Sequence, residues 1–261
     1  RPLMQFADGY KHEIVRRGHL HDGMKIELVI NCAAFVAKPN VNLCDDHKEE
    51  TLRGNVILPA LLRVACAERE IPLLHVSTGC LYNGDNGGHG WTEMDPAQLR
   101  FDSGAGWYVG SKQMAEEVVR QYPKSYCCRG RIPFDHRDGP RNYLSKLMRF
   151  EKIVSEPNSM SHRGDFVRAC LDLYELKAPF GIYNMTNPGC MTARQITELL
   201  TTINPKKYEF WNTAEFLKTA RTMQANCVLN TDKLEGAGIR MRPVQEAIAD
   251  SIACWQWETQ P

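Results

Sequence analysis

A tyrosine and a lysine stand four residues apart at Tyr108 and Lys112, in the run GWYVGSKQMAEEVV. On a helix that spacing puts both side chains on one face. The ammonium is then placed to lower the phenol's pKa toward neutral pH, as a tyrosine needs if it is to trade protons with a carbonyl or hydroxyl. Upstream, Thr78 ends the apolar run IPLLHVST, where its hydroxyl can reach the same oxygen. Tyrosine and lysine at this spacing often meet by chance. Joined to a threonine at a strand mouth, within alternating strand and helix patterning, they point to proton transfer rather than to a surface tyrosine and a solvated lysine.

The elements that must position these groups follow from the hydrophobic pattern. Residues 12–15 and 26–35 read as buried strands, and 50–70 has helical periodicity. Residues 71–79 form a further strand, 112–122 a helix with a charged outer face, and 125–134 another strand. Strand alternating with helix predicts a parallel sheet covered on both faces, and apolar runs without polar alternation fit strands buried on both sides. The Gly- and Asp-rich loop from Asn83 to Gly106 lies between the candidate catalytic segments, and loops of that length in compact domains are usually functional. After Phe134 the texture changes. Helices are expected in 141–154, in the segment after NSMS (with a serine as N-cap), in TARQITELLTTI and in PVQEAIADSIACWQW, with a short strand in GIYN. Residues 1–134 thus read as a dinucleotide-binding domain. Residues 135–261 read as a smaller, mostly substrate-holding lobe with segments returning to the main sheet.

Composition excludes several classes. Thirty-two Lys and Arg against 31 Asp and Glu give no polyelectrolyte character, so nothing points to nucleic acid or an acidic membrane surface. The apolar runs are strand-sized, which predicts no membrane span. The ten cysteines are scattered without a CxxC pair, so neither a metal site nor a disulfide framework is expected; a reducing, cytoplasmic setting is. A dinucleotide fold normally opens with a strand and a Gly-rich turn that brings backbone N–H groups to the pyrophosphate. The stretch RPLMQFADGYKHEIV instead reads as the end of the following helix and then a second strand. A fragment or a curtailed N-terminal lobe is the expectation.

Taken together, NCAAFVAKPNVNLCDDHKEETLRGNV, TGCLY, YVGSK, PRNYLSKLMRFEK, PNSM, YNMTNPG and MRPVQEAI run in one order from residue 31 to the C-terminal segment. They resemble extended short-chain dehydrogenase/reductases acting on nucleotide sugars: the bifunctional 3,5-epimerase/4-reductases that make nucleotide-rhamnose, and the dTDP-4-dehydrorhamnose reductase family. The resemblance implies a Rossmann-like doubly wound parallel sheet with a smaller C-terminal substrate lobe, and an NADPH-dependent enzyme that epimerises and then reduces a nucleotide-4-keto-6-deoxyglucose. Thr78, Tyr108 and Lys112 fall on the family's catalytic set, Cys80 on its epimerase cysteine and Lys146 on the lysine partner. Asn55 resembles a family asparagine whose role is usually structural. A homodimer through helices 50–70 and 108–122 is also implied, whereas the choice between UDP and dTDP stays open.

The implied chemistry suits the residue types. A keto group at carbon 4 acidifies the protons on carbons 3 and 5, so a base on one face and an acid on the other invert each centre through an enolate. Cys80 serves as the base if lysine or the cofactor's field lowers its pKa, and Lys146 returns the proton. Arg16 and Arg17 follow the first strand, where an acidic residue would select NAD; two arginines suit the 2′-phosphate of NADP, with NADH as the other choice. Ala33 and Ala34 end a strand, where small residues admit a cofactor as readily as tight packing. His162 and Arg163 either border the substrate or begin a helix. Two rival readings remain: a 4-reductase with structural Cys80 and Lys146, and a non-catalytic scaffold that lost the phosphate-binding turn.

Overall fold

The computed structural model describes residues 25–38, 40–211, 214, 216, 218 and 225–258. The strand expected at 12–15, together with Arg16 and Arg17, lies outside them. Four strands form one parallel sheet: β1 (Val29–Asn31), β2 (Leu73–Thr78), β3 (Ser125–Gly130) and β4 (Gly181–Asn184), side by side in that order. Leu73 pairs with Ser125 and Thr78 with Gly130, so β2 and β3 run in step to their carboxyl ends. β4 follows the lobe segments in the chain yet pairs with β3.

Alternating side chains of these strands serve two cores. Leu73 and Cys127 pack against Leu58 and Leu62 of α1 (Leu58–Arg69) and Val119 of α2 (Gly106–Val119). Leu74, Tyr126 and Cys128 face the other way, onto Ala169 and Leu173 of α4 (Arg163–Glu175). Burial on both sides is why these strands lack polar alternation. The architecture is the α/β Rossmann-like fold. A third core joins Leu144 and Leu147 of α3 (Tyr143–Arg149) to Ile196 and Leu200 of α5 (Ala193–Leu200) and Val244 and Ile248 of α6 (Val244–Ala253). Ile57, Leu61, Val64 and Met114 are exposed apolar side chains on or beside α1 and on α2. Among the described residues no helix is long and apolar enough to cross a membrane, and no cluster of His, Cys, Asp and Glu suits a metal ion.

Several boundaries differ from expectation for local reasons. The strand expected over 26–35 stops at Asn31 because asparagine side chains take over the backbone bonding beyond it. Asn31 Oδ1 accepts from Ala33 N at 3.1 Å, and Asn55 both accepts from Phe35 N at 2.7 Å and donates to Phe35 O at 3.1 Å. The helix expected from residue 112 begins at Gly106, where Asp45 Oδ1 accepts from Trp107 N at 2.7 Å. The strand expected over 125–134 breaks after Gly130, and Ile132 adopts a φ of 41°, in the left-handed region. Residues 133–134 instead pair with 161–162. The 141–154 helix shortens to α3, capped by Asn142 Oδ1 on Leu144 N. α4 is capped by His162, not by a serine: its Nδ1 accepts from Asp165 N at 3.2 Å.

Candidate active site

Parallel sheets present their ligand crevice at the carboxyl ends of the strands, and Thr78 is the last residue of β2. It is buried, and the Tyr108 phenol lies beside its hydroxyl. Its Oγ1 also accepts from Cys80 N at 3.2 Å, which seats Cys80 on the same rim. Tyr108 lies in the first turn of α2, and Ser111 Oγ, donating to Tyr108 O at 2.8 Å, accepts in turn from Asn55 Nδ2 at 3.1 Å. Asn55 therefore clips the loop after β1 to the helix that carries the phenol. Gly110 gives the 83–105 loop room to lie over that helix: a Cβ there would stand 2.5 Å from the Phe101 ring.

Lys112 is 2% exposed, and its Nζ donates to Val76 O at 2.6 Å, inside β2. Burial brings its pKa down to about 8, with Glu116 acting in the opposite direction. The phenol moves opposite to the sequence expectation. Burial pushes Tyr108 well above the usual tyrosine range, the charge fields of Cys80 and Cys44 add to this, and the neighbouring Thr78 hydroxyl only partly offsets them. The cause is tertiary: the ammonium is directed at a strand carbonyl while the hydroxyl is desolvated. Tyr108 is accordingly held as the protonated acid at neutral pH.

Below this rim lies a buried polar floor. Glu116, one helical turn after Lys112, accepts from Ser77 Oγ at 2.6 Å and pairs with Arg129 of β3, whose Nη2 donates at 2.7 Å. Burial works against the Arg129 charge, but Glu116 more than reverses it and raises its pKa above the usual arginine value. Arg129 Nη1 donates to Tyr82 Oη at 2.8 Å, and Tyr82 stacks on Trp91 of the long loop with centroids 5.2 Å apart. That loop is tied at its far side by Trp91 N donating to Val228 O at 2.8 Å. On the other flank, Asn31 Oδ1 accepts from Ala33 N, so its amide nitrogen faces His75 Nδ1 at 3.0 Å. The proton of neutral His75 then belongs on Nε2, and burial, followed by the Lys112 charge, keeps this ring well below its ordinary pKa.

The remaining sequence candidates separate. Cys80 is part-exposed and its Sγ accepts from Arg131 Nη1 at 3.1 Å. Ala33 and Ala34 lie just beyond β1 on the sheet's carboxyl edge, with nothing larger than a methyl side chain. Lys146 is exposed on α3. His162 and Arg163 engage the framework around the start of α4. His162 caps α4 through Nδ1, which accepts from Asp165 N, while Arg163 Nη1 pairs with Asp135 Oδ2 at 3.0 Å. The sequence pattern alone did not single out Arg131, Asn158 or the Glu116–Arg129 pair. The signal available was a charged residue inside or just after an apolar run, in CCRGRIP.

The donor set of hydroxyl, phenol and ammonium at the carboxyl end of β2, beside the alanine pair, suits the nicotinamide half of a dinucleotide. It offers hydrogen-bond donors to a ribose and to a carbonyl oxygen.

The family model for the RmlD substrate binding domain matches residues 7–256. A bifunctional dTDP-4-dehydrorhamnose 3,5-epimerase/dTDP-4-dehydrorhamnose reductase of Arabidopsis thaliana is 29% identical over 235 residues, which is 87% of this chain and 76% of that protein. A trifunctional UDP-glucose 4,6-dehydratase/UDP-4-keto-6-deoxy-D-glucose 3,5-epimerase/UDP-4-keto-L-rhamnose-reductase of the same plant is 28% identical over 84% of this chain, which spans 33% of its length. Among solved structures, the L780 UDP-rhamnose synthase of Acanthamoeba polyphaga mimivirus superposes with a TM-score of 0.82 at 21% identity, covering 95% of this chain and 86% of that one. The dTDP-4-dehydrorhamnose reductase of Bacillus anthracis, in complex with NADP, gives 0.73 at 17% identity, with 93% and 84% covered.

Proposed function

As this chain belongs to the RmlD substrate binding domain family, we propose that it is an NADPH-dependent reductase of the 4-dehydrorhamnose type that also epimerises carbons 3 and 5 of a nucleotide-linked 4-keto-6-deoxyhexose. The observation that carries this reading is the placement of Thr78 at the carboxyl end of β2 beside the Tyr108 phenol, with buried Lys112 one turn along the same helix. A bound nicotinamide supplies the hydride to carbon 4. Tyr108, held as the acid, gives its proton to the oxygen on that carbon, and Thr78 donates a hydrogen bond to the charge developing there. Lys112, Ala33 and Ala34 are the residues that hold the nicotinamide end, and Arg16 and Arg17 are assigned to the 2′-phosphate.

Epimerisation falls to Cys80 as base, with Lys146 returning the proton from the opposite face. The exposure of Lys146 favours the narrower alternative, a 4-reductase in which neither residue takes part. Incubation with UDP- or dTDP-4-keto-6-deoxyglucose and NADPH separates the readings. NADPH loss with a rhamnose product, identified by NMR, supports the bifunctional enzyme; a product with unchanged carbons 3 and 5 supports the reductase. Tyr108→Phe should slow NADPH oxidation by about 10²–10⁴-fold. An undiminished rate would sink the assignment of the acid.

A further inference from the structure

Two arginines two residues apart, at the end of β3 and just beyond it, are both buried, at 4% exposure for Arg129 and 3% for Arg131, yet among the described residues only Arg129 has a carboxylate partner. Arg129 has Glu116. Arg131 donates through Nη2 to Asn158 Oδ1 and to the Ala225 carbonyl, and through Nη1 to Cys80 Sγ at 3.1 Å; its Nε has no partner. Among the described residues no carboxylate answers its charge. An isolated buried charge is strongly disfavoured unless a counter-charge forms beside it, and neutral acceptors satisfy only its hydrogen bonds. Among the described residues hydrogen-bonded to the guanidinium, only the Cys80 sulfur can become an anion; the Tyr143 phenol and the Cys227 thiol also feel its charge, but burial pushes them up to about 12 and about 11 and keeps both protonated. Asn158 fixes the fork from behind: its Oδ1 also accepts from Cys227 N at 3.1 Å, and its Nδ2 donates to Asn226 Oδ1 at 3.1 Å. The guanidinium is thus held in one orientation while its Nη1 points to the rim.

We propose that Arg131 is the positioning residue of the epimerase half-reaction: it aims the Cys80 sulfur at the sugar and carries the counter-charge of its thiolate. The thiolate takes the proton from carbon 3 or carbon 5, the C–H electron pair passes into the enolate on the 4-keto oxygen, and a new S–H bond forms. On this reading Arg131 acts through the Cys80 sulfur. This rests on the epimerase reading above, and the two fail separately.

The test is alkylation of Cys80 by iodoacetamide, quantified by peptide mass spectrometry across pH in the intact protein, with exposed Cys254 as internal reference. Deuterium incorporation at carbons 3 and 5 of the 4-keto substrate, in D₂O without NADPH, is followed in parallel. Cys80 should react at lower pH than Cys254. Asn158→Asp, which gives the guanidinium a permanent carboxylate, and Arg131→Lys, which shortens and blunts the fork, should each move the Cys80 profile to the alkaline side. Both should slow alkylation at neutral pH on the order of tenfold or more. Deuterium exchange should slow alongside. Folded variants that alkylate like the wild type overturn the proposal, and so does a wild-type Cys80 profile that coincides with Cys254, even if both variants fail to fold. Absent exchange in a wild type whose Cys80 profile still depends on Arg131 would remove the epimerase reading and leave the arginine–thiol coupling in place.

Discussion

Replacing Glu116 by glutamine removes one charge from the floor of the site and almost none of its volume. The carboxylate accepts from Ser77 Oγ at 2.6 Å, from Arg129 Nε at 3.0 and 3.2 Å and from Arg129 Nη2 at 2.7 Å. The two side chains of the pair are 5% and 4% exposed, so water cannot take over for the lost charge. Breaking a buried pair from one side costs about 3–5 kcal/mol, because the remaining ion is left uncompensated. The amide keeps one acceptor oxygen, and Tyr82 Oη still accepts from Arg129 Nη1 at 2.8 Å. Those residual bonds place Glu116→Gln at the lower end, about 3 kcal/mol, equivalent to a fall in Tm of roughly 10 °C for a chain of this size. Urea denaturation followed by far-UV circular dichroism measures the first quantity and a thermal scan the second. Ser77 adjoins Thr78, so loosening this floor also displaces the hydroxyl at the rim. A drop in kcat on the order of tenfold, with KM little changed, is expected. The double variant Glu116→Met, Arg129→Met should recover most of the stability, since well-packed apolar groups often replace a buried pair without loss. A cost below about 1 kcal/mol for the single change, in the range of an exposed ion pair, would refute the argument that this pair is desolvated.

Two pH dependences follow from buried charges. Lys112 titrates near about 8 in the folded chain against an ordinary 10.5, so the unfolded chain binds the extra proton between those values and the folded state gains stability as pH rises through that window. Lys112→Met should therefore be most stabilised relative to wild type at neutral pH, with the gap closing toward pH 10 in paired urea titrations; a pH-independent gap would contradict the burial argument. At Asp165, burial pushes the pKa up, but the neighbouring His162 ring and hydrogen bonds donated by Arg242 and Asn187 outweigh it and hold the carboxyl well below its ordinary 3.8. That stability is complete above the ordinary value and is lost as pH falls through the depressed one, so Asp165→Asn should be destabilised at pH 6 and approach wild type in strong acid. Parallel acid-unfolding curves for the two proteins would rule this out.

The sequence by itself determined the local parts of this protein. The helical spacing of Tyr108 and Lys112, the apolar run ending at Thr78 and the alternation of strand and helix are read from neighbours within a few residues, because periodicity is a local property. Helix ends and strand breaks were less legible: Asn31 and Asn55 replace ladder bonds after β1, and a histidine rather than a serine caps α4. These outcomes depend on which side chain wins a competition for backbone groups. How charges far apart in the chain are matched emerges only when the elements pack. Register between β2 and β3 sets Ser77 opposite Arg129 and leaves Thr78 beside Gly130, and the fold then brings Glu116 to Arg129 and Arg131 to Cys80. Burial reversed the expected shift of the Tyr108 phenol for the same reason. Desolvation and charge pairing arise between elements once they pack, and a spacing along the chain does not encode them.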